Sequence, residues 1–293
     1  MVKRITSLML LALTLFMLVG CTQNISLSEK RYEAQTEVEQ IRIDEETMSI
    51  EVVKDENIDN VVVSYYTDDK YKLTVNMMIS SKTLSIKREV NHTMFAPEYT
   101  YQSYCKTTIY LPINYSGSLD VETVTGNIKI SDVSVKELKA NTTTGNLTID
   151  STKASELIDI DVTNGKVEIN NTESEKINLD ITNGDLLINK TNIKTRIEVD
   201  VTNGAIKLNE TEANEFAIDL SNGSVELKKV ECGELLSVEA TTGSIDIELN
   251  GKEYSYKTTL STNVGSVSGE TKTGEKIVNC STNVGSIKVK YLG

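Results

Sequence analysis

Acidic side chains recur at one offset along much of this 293-residue chain. Four positions before successive glycines stand Glu122, Asn141, Asp161, Asp180, Asp200, Asp219 and Glu239. A carboxylate repeated once per structural unit could bind cations, whether calcium, another divalent ion or a basic peptide. If the units stack in register, Asp161, Asp180, Asp200, Asp219 and Glu239 form one stripe. Unit charges ~4.8 Å apart in water repel by roughly 0.9 kcal/mol before salt screening, and like charges stacked across strands are normally avoided. The competing reading is a charged outer face that keeps a β-rich chain soluble.

Beside the acids, two residues before each glycine, runs a hydroxyl row of Thr143, Thr163, Thr182, Thr202, Ser221 and Thr241, passing into Asn263 and Asn283. Such a ladder can bind sugars or order water, and it can equally stabilise strand and turn by local hydrogen bonds. Other chemistry has little material. After Cys21 the cysteines are Cys105, Cys232 and Cys280, an odd number at spacings that match no zinc pattern, and Cys280 falls on an apolar position of the repeat. His92 is the single histidine and tryptophan is absent. No Ser-His-Asp or Cys-His arrangement, phosphate loop or nucleotide fingerprint is present. A polysaccharide-cleaving solenoid with calcium-bound carboxylates would need a basic residue breaking the pattern at one unit, and none does. The chain therefore reads as a non-enzyme without a cofactor, with calcium or another divalent ion at the stripe left open.

The glycines that index these rows are Gly126, Gly145, Gly165, Gly184, Gly204, Gly223, Gly243, Gly265 and Gly285, spaced by 19, 20, 19, 20, 19, 20, 22 and 20 residues. A period in this range signals stacked repeats. On both sides of each glycine apolar and polar residues alternate, the period of a half-buried strand. Pairs such as Asn164-Gly165, Asn183-Gly184, Asn203-Gly204 and Asn222-Gly223 place residues tolerant of positive φ where the chain must turn. One unit cannot bury its apolar face alone, so the units are expected to stack in parallel.

The expected fold is all-β: a parallel β-solenoid (β-helix) of about nine rungs of about 20 residues over 116–293, a column on the order of 40 Å long. Its inward ladders are Ile160, Leu179, Val199, Ile218, Val238, Leu260 and Cys280 before the turn, and Val167, Leu186, Ile206, Val225, Ile245, Val267 and Ile287 after it. Residues 39–115 hold strand-like runs without the glycine period and most of the tyrosines, as a β-rich N-terminal cap would. The aromatic segment His92–Tyr104 reads as part of that cap, packed over the first rung, or as an exposed contact loop. The final edge at Tyr291–Gly293 is left open to pairing with another chain, and oligomeric state is not readable.

Residues 1–20 combine Lys3 and Arg4 with an apolar run from Leu8 to Val19, a secretory signal too short for the roughly 20 residues of a spanning helix. Leu18-Val19-Gly20-Cys21 resembles the lipobox of bacterial lipoproteins, which implies cleavage before Cys21, lipidation of that cysteine and a polar tether over 21–38. The net charge is −13, and loss of the signal removes two cations more. Nucleic acid is thereby excluded as a partner, and cationic peptides are favoured, with glycan or protein ligands also open. The membrane is reached through the lipid. A lysine- and asparagine-rich composition favours a Gram-positive source and the outer face of the cytoplasmic membrane.

Thr108-Ile-Tyr-Leu-Pro112, a strand ending in proline, followed by the succession of Thr-Gly and Asn-Gly turns, resembles the bacterial envelope family known as putative adhesins, described by a β-strand-repeat domain of unknown function. The resemblance spans about 40–293. It implies the β-repeat fold and a surface-binding scaffold, and it brings no catalytic motif. Relatives in envelope-stress regulation imply the alternative of a sensing lipoprotein that captures cationic peptides or divalent ions.

Overall fold

The computed structural model describes residues 27–67, 71–90 and 105–293, most of them in strands. Residues 1–20, expected to be a secretory signal, Cys21 and His92–Tyr104 lie outside the described residues. The N-terminal part holds β1 (Ser28–Glu33), β2 (Gln40–Glu45), β3 (Ser49–Lys54), β4 (Val62–Thr67), β5 (Tyr71–Met78), β6 (Thr83–Val90) and β7 (Lys106–Leu111). The glycine-marked part follows with β8 (Ser118–Thr125), β9 (Ile128–Ser131), β10 (Ser134–Thr144), β11 (Leu147–Asp150), β12 (Lys153–Asn164), β13 (Val167–Asn170), β14 (Glu173–Asn183) and β15 (Leu186–Asn189). It continues through the long β16 (Asn192–Asn209) and β17 (Glu212–Thr242) to β18 (Ile245–Leu249), β19 (Tyr256–Val264), β20 (Val267–Ser268), β21 (Lys276–Val284) and β22 (Ile287–Tyr291).

Alternating apolar residues make these segments strands with one wet and one dry face, and a parallel stack is the arrangement that buries the dry faces together. On one side β8, β10, β12, β14, β16 and β17 pair successively in parallel; on the other β9, β11, β13 and β15 do so, ending on the second half of β16. This is the parallel β-solenoid the repeat implied. Ile160, Leu179, Val199 and Ile218 are direct register partners and are buried. Each such side chain contributes about 1.5–3 kcal/mol on leaving water. Cys280 sits in the same core, and burial pushes its thiol up to about 12.

The two corners of a rung work differently. At the glycine corner an added Cβ at Gly184 would lie 1.8 Å from the carbonyl oxygen of Gly165, and one at Gly165 would lie 1.8 Å from that of Gly145. Glycine is required because the rung beneath occupies the side chain's place. The preceding asparagines do not adopt the positive φ expected of them. Their amides stack instead, Asn183 Nδ2 donating to Asn164 Oδ1 at 3.1 Å, Asn203 to Asn183 at 3.0 Å and Asn222 to Asn203 at 3.2 Å. Left-handed backbone occurs at the second corner, at Asp132, Ser151, Asn171, Lys190, Glu210 and Lys229, with φ between 48° and 57°. Buried Thr152, Thr172, Thr191 and Thr211 follow four of these, each hydroxyl donating to the carbonyl two residues back.

At both ends spatial order departs from chain order. β2 and β3 pair in parallel with β8 and β9 on one side and with β6 and β7 on the other, so the column continues into the region expected to be a separate cap. Residues 28–33, expected within a tether, form β1 antiparallel to β4, which itself lies antiparallel on β7. At the far end β21 inserts between β17 and β19, and β22 pairs with both β18 and β20. The open edge is therefore β19 with β20, not Tyr291–Gly293. Val267, expected inward, is 38% exposed because β20 has a strand on one side only.

Candidate functional site

Register places the acids as the spacing requires. Asp161 pairs with Asp180, Asp180 with Asp200, and Asp200 with Asp219. The row extends backwards through Asn141 and Glu122 to Asp44, which sequence reading missed because its rung lacks the glycine. Glu239 continues it forward, and Ser281 and Ser261 end it. Asp161, Asp180, Asp200, Asp219 and Glu239 are exposed, and none has an ion-pair partner among the described residues. Burial first, then Glu239, Asp200 and Glu198, hold the Asp219 carboxyl above its usual range. Burial is the larger cause there and the neighbouring acids the smaller.

A second outward row runs beside it, with Arg42, Asp120, Lys139, Asp159, Asn178 and Glu198 as successive register partners. Here cations intervene: Lys139 reaches Asp159 at 3.9 Å, and Glu198 is met by Lys176 at 3.4 Å and Arg196 at 3.5 Å. Together the rows border a shallow depression of about 680 Å³. Within it the Oδ1 of Asn178 is buried and accepts no hydrogen bond. An unpartnered acceptor among carboxylates suits a ligand that brings N–H donors.

The depression does not suit a metal ion. Among the described residues no three His, Cys, Asp or Glu side chains converge closely enough to hold one. Register sets the acids along a line, whereas calcium takes six to eight oxygens around a point. The hydroxyl row shares the outward side, with Thr182, Thr202 and Thr241 exposed and Thr163 and Ser221 half-buried. Structural hydroxyls lie elsewhere: the inward Thr142, Thr262 and Thr282 donate to glycine carbonyls of neighbouring rungs at 3.3, 2.9 and 3.1 Å.

One charged cluster escaped sequence reading. Glu45 and Arg88 are fully buried and paired, with Arg88 Nη2 donating to Glu45 Oε1 at 3.2 Å and Thr107 donating to the same carboxylate. Desolvation raises the Glu45 carboxyl despite Arg88. The signal was available: the inward alternation Ile41, Ile43 continues onto Glu45, and Leu84, Ile86 onto Arg88, at matching strand positions of opposite charge.

The geometry defines a class, the parallel β-solenoid whose rungs turn on stacked glycines. Within it the chain belongs to the Toastrack DUF4097 family, matched over residues 38–290. Among solved structures it is similar to a putative cell adhesion protein from Clostridium sporogenes, at 11% identity over 91% of this chain and 100% of that one, with TM-score 0.24. It is also similar to a putative adhesin from Parabacteroides distasonis, at 14% identity over 91% and 98% of the two chains, with TM-score 0.40. No curated protein matches the sequence.

Proposed function

We propose that this chain is a non-enzymatic cell-surface scaffold, held on the outer face of the bacterial cytoplasmic membrane by lipid on Cys21, whose acidic depression binds an extended basic segment of a peptide or protein. The observation that carries the reading is the in-register row Asp161, Asp180, Asp200 and Asp219 without intervening cations. Lysines or arginines spaced along an extended ligand meet carboxylates spaced by rungs, and weak contacts add along the column. The buried Asn178 acceptor supports a donor-rich ligand over a bare ion.

The test is calorimetric titration of residues 22–293 with an oligolysine peptide, its acetylated counterpart, calcium and a glycan panel. Oligolysine is expected to bind at low salt, to weaken as salt rises and to fail with the acetylated peptide. Changing Asp161, Asp180, Asp200 and Asp219 to Asn is expected to abolish binding. Absence of oligolysine binding, or binding untouched by the four changes, overturns the reading. Binding of calcium alone that depends on the row would favour ion sensing instead. The anchor is tested separately, since Cys21→Ser should leave the chain unlabelled by a palmitate analogue.

A further inference from the structure

The two ends of the column are finished differently. At the N-terminal end the outer parallel rung, β6 and β7, is overlaid by antiparallel β5 and β4, and beyond β4 lies β1, four of whose six residues are charged: Glu29, Lys30, Arg31 and Glu33. Charged residues on a terminal strand discourage further pairing. At the other end β19 has one strand neighbour, β21, and β20 has one, β22. The 271–274 segment covers the start of β19, where Thr258 and Thr271 exchange two backbone hydrogen bonds, Thr271 Oγ1 donates to the Tyr256 carbonyl at 2.6 Å and Gly274 lies against the Tyr256 backbone. The open part of the edge is therefore 260–264 with β20.

Elsewhere in the column the turn glycine and the residue two places on donate to the next rung, as Gly243 does to Val284, Gly285 to Val264, Ile245 to Ser286 and Ile287 to Ser266. The equivalent donors, Gly265 and Val267, have no rung beyond them. Apolar side chains gather at the same place, with Val264 63%, Val267 38% and Val284 48% exposed.

Three features say what fits this edge. The acid row stops at Glu239, leaving Ser281 and Ser261 at its position in the last two rungs. In a chain of net charge −13, this is where two copies approach with the least repulsion. β19 carries no acid, reading Tyr-Lys-Thr-Thr-Leu-Ser-Thr-Asn-Val. Finally, the hexapeptide Ser-Thr-Asn-Val-Gly-Ser occurs at both 261–266 and 281–286, and the two copies already recognise each other. Ser261 pairs with Ser281 and Thr262 with Thr282, Asn263 Nδ2 donates to Asn283 Oδ1 at 3.2 Å, and Ser266 Oγ donates to Ser286 Oγ at 3.2 Å. That pairing is parallel and a two-fold sets the copies of β19 antiparallel, so the repeat shows that the edge accepts a strand of its own composition and does not set the register.

We infer that the open edge of β19 and β20 is a self-association surface on which a second copy of this chain docks edge to edge about a two-fold axis. The docking joins two edges at which the acid row has given way to serine, completes the unused backbone donors and covers Val264 and Val267. The columns then run away from each other, so each acidic depression stays open.

Sedimentation velocity of residues 22–293 over rising concentration tests this. The wild-type chain is expected to form a dimer. Val264→Asp with Val267→Asp places like charges across the two-fold and should weaken the dimer at least about tenfold while the β circular dichroism is kept. Should that pair fail to fold, Val264→Lys alone is measured against the same expectation. Ile79→Asp, a 72% exposed position at the other end, should leave the dimer unchanged. A wild-type chain that stays monomeric, association that survives the edge substitutions, or loss equal to that in Ile79→Asp overturns the inference.

Discussion

Asp219 shows how a side chain pays for its place in a repeat. Its folded-state carboxyl holds a proton more tightly than an ordinary one, through burial and then Glu239, Asp200 and Glu198. The folded chain therefore binds more protons than the unfolded chain between the usual value of 3.8 and the raised one. Across that window stability falls as pH rises; below it the penalty is absent and above it complete. Asp219→Asn should raise the unfolding free energy at pH 7 by roughly a few tenths of a kcal/mol at low salt, because the exposed carboxylate is screened by solvent, and by less at high salt. Thermal unfolding at pH 7 and below pH 3.8 checks this, since the gain should vanish at the lower pH. Gly184 presents the opposite case, a residue defined by what it lacks. Gly184→Ala would place a methyl 1.8 Å from the Gly165 oxygen, and two rungs must part to admit it. A loss of about 3 kcal/mol or more is expected, read by urea denaturation. An Ala variant as stable as the parent would mean the corner can relax.

Element by element, legibility followed periodicity. Alternation and the glycine interval were enough to place Ile160, Leu179, Val199 and Ile218 in one buried ladder, and to align Asp161 with Asp180, Asp200 and Asp219. The second corner stayed hidden because Asp132, Ser151, Asn171, Lys190, Glu210 and Lys229 share a backbone conformation and not a residue type. Its readable trace was the buried threonine after Ser151, Asn171, Lys190 and Glu210. The role of the turn asparagines was misread for a related reason: Asn-Gly signals a positive φ in an isolated hairpin, whereas in a stack the amide finds a like amide one rung away. That distinction is measurable. Asn183→Ala removes one donated and one accepted amide bond and should cost about 1 kcal/mol. The adjacent Thr182→Ala, at an exposed hydroxyl without such bonds, should be nearly neutral. Equal costs for the two changes in denaturant melts would reduce the ladder to packing.

At the scale of the whole molecule, stability in a stack is a sum of rung terms and nearest-neighbour terms, so a rung is held according to its neighbours in space and not its place in the chain. Sequence order puts residues 276–291 last and invites the expectation that they fray first. Spatial order reverses this, because β21 is paired on both edges, by β17 and β19, and β22 by β18 and β20, while β19 and β20 are each paired on one. The two rungs share Ser-Thr-Asn-Val-Gly-Ser, and the 22-residue interval into Gly265 marks an irregularity without saying which rung lies outside, so insertion could not be read from the sequence. Hydrogen exchange separates the orders. Amides of 277–284 should exchange more slowly than those of 257–264, and the central β12, β14 and β16 more slowly than either. The comparison is best made at low protein concentration, where the self-associated edge is dissociated, and repeated at high concentration, where β19 should gain protection while β21 changes little. Faster exchange of 277–284 than of 257–264 in the dilute sample would return the terminal rung to the outside of the column.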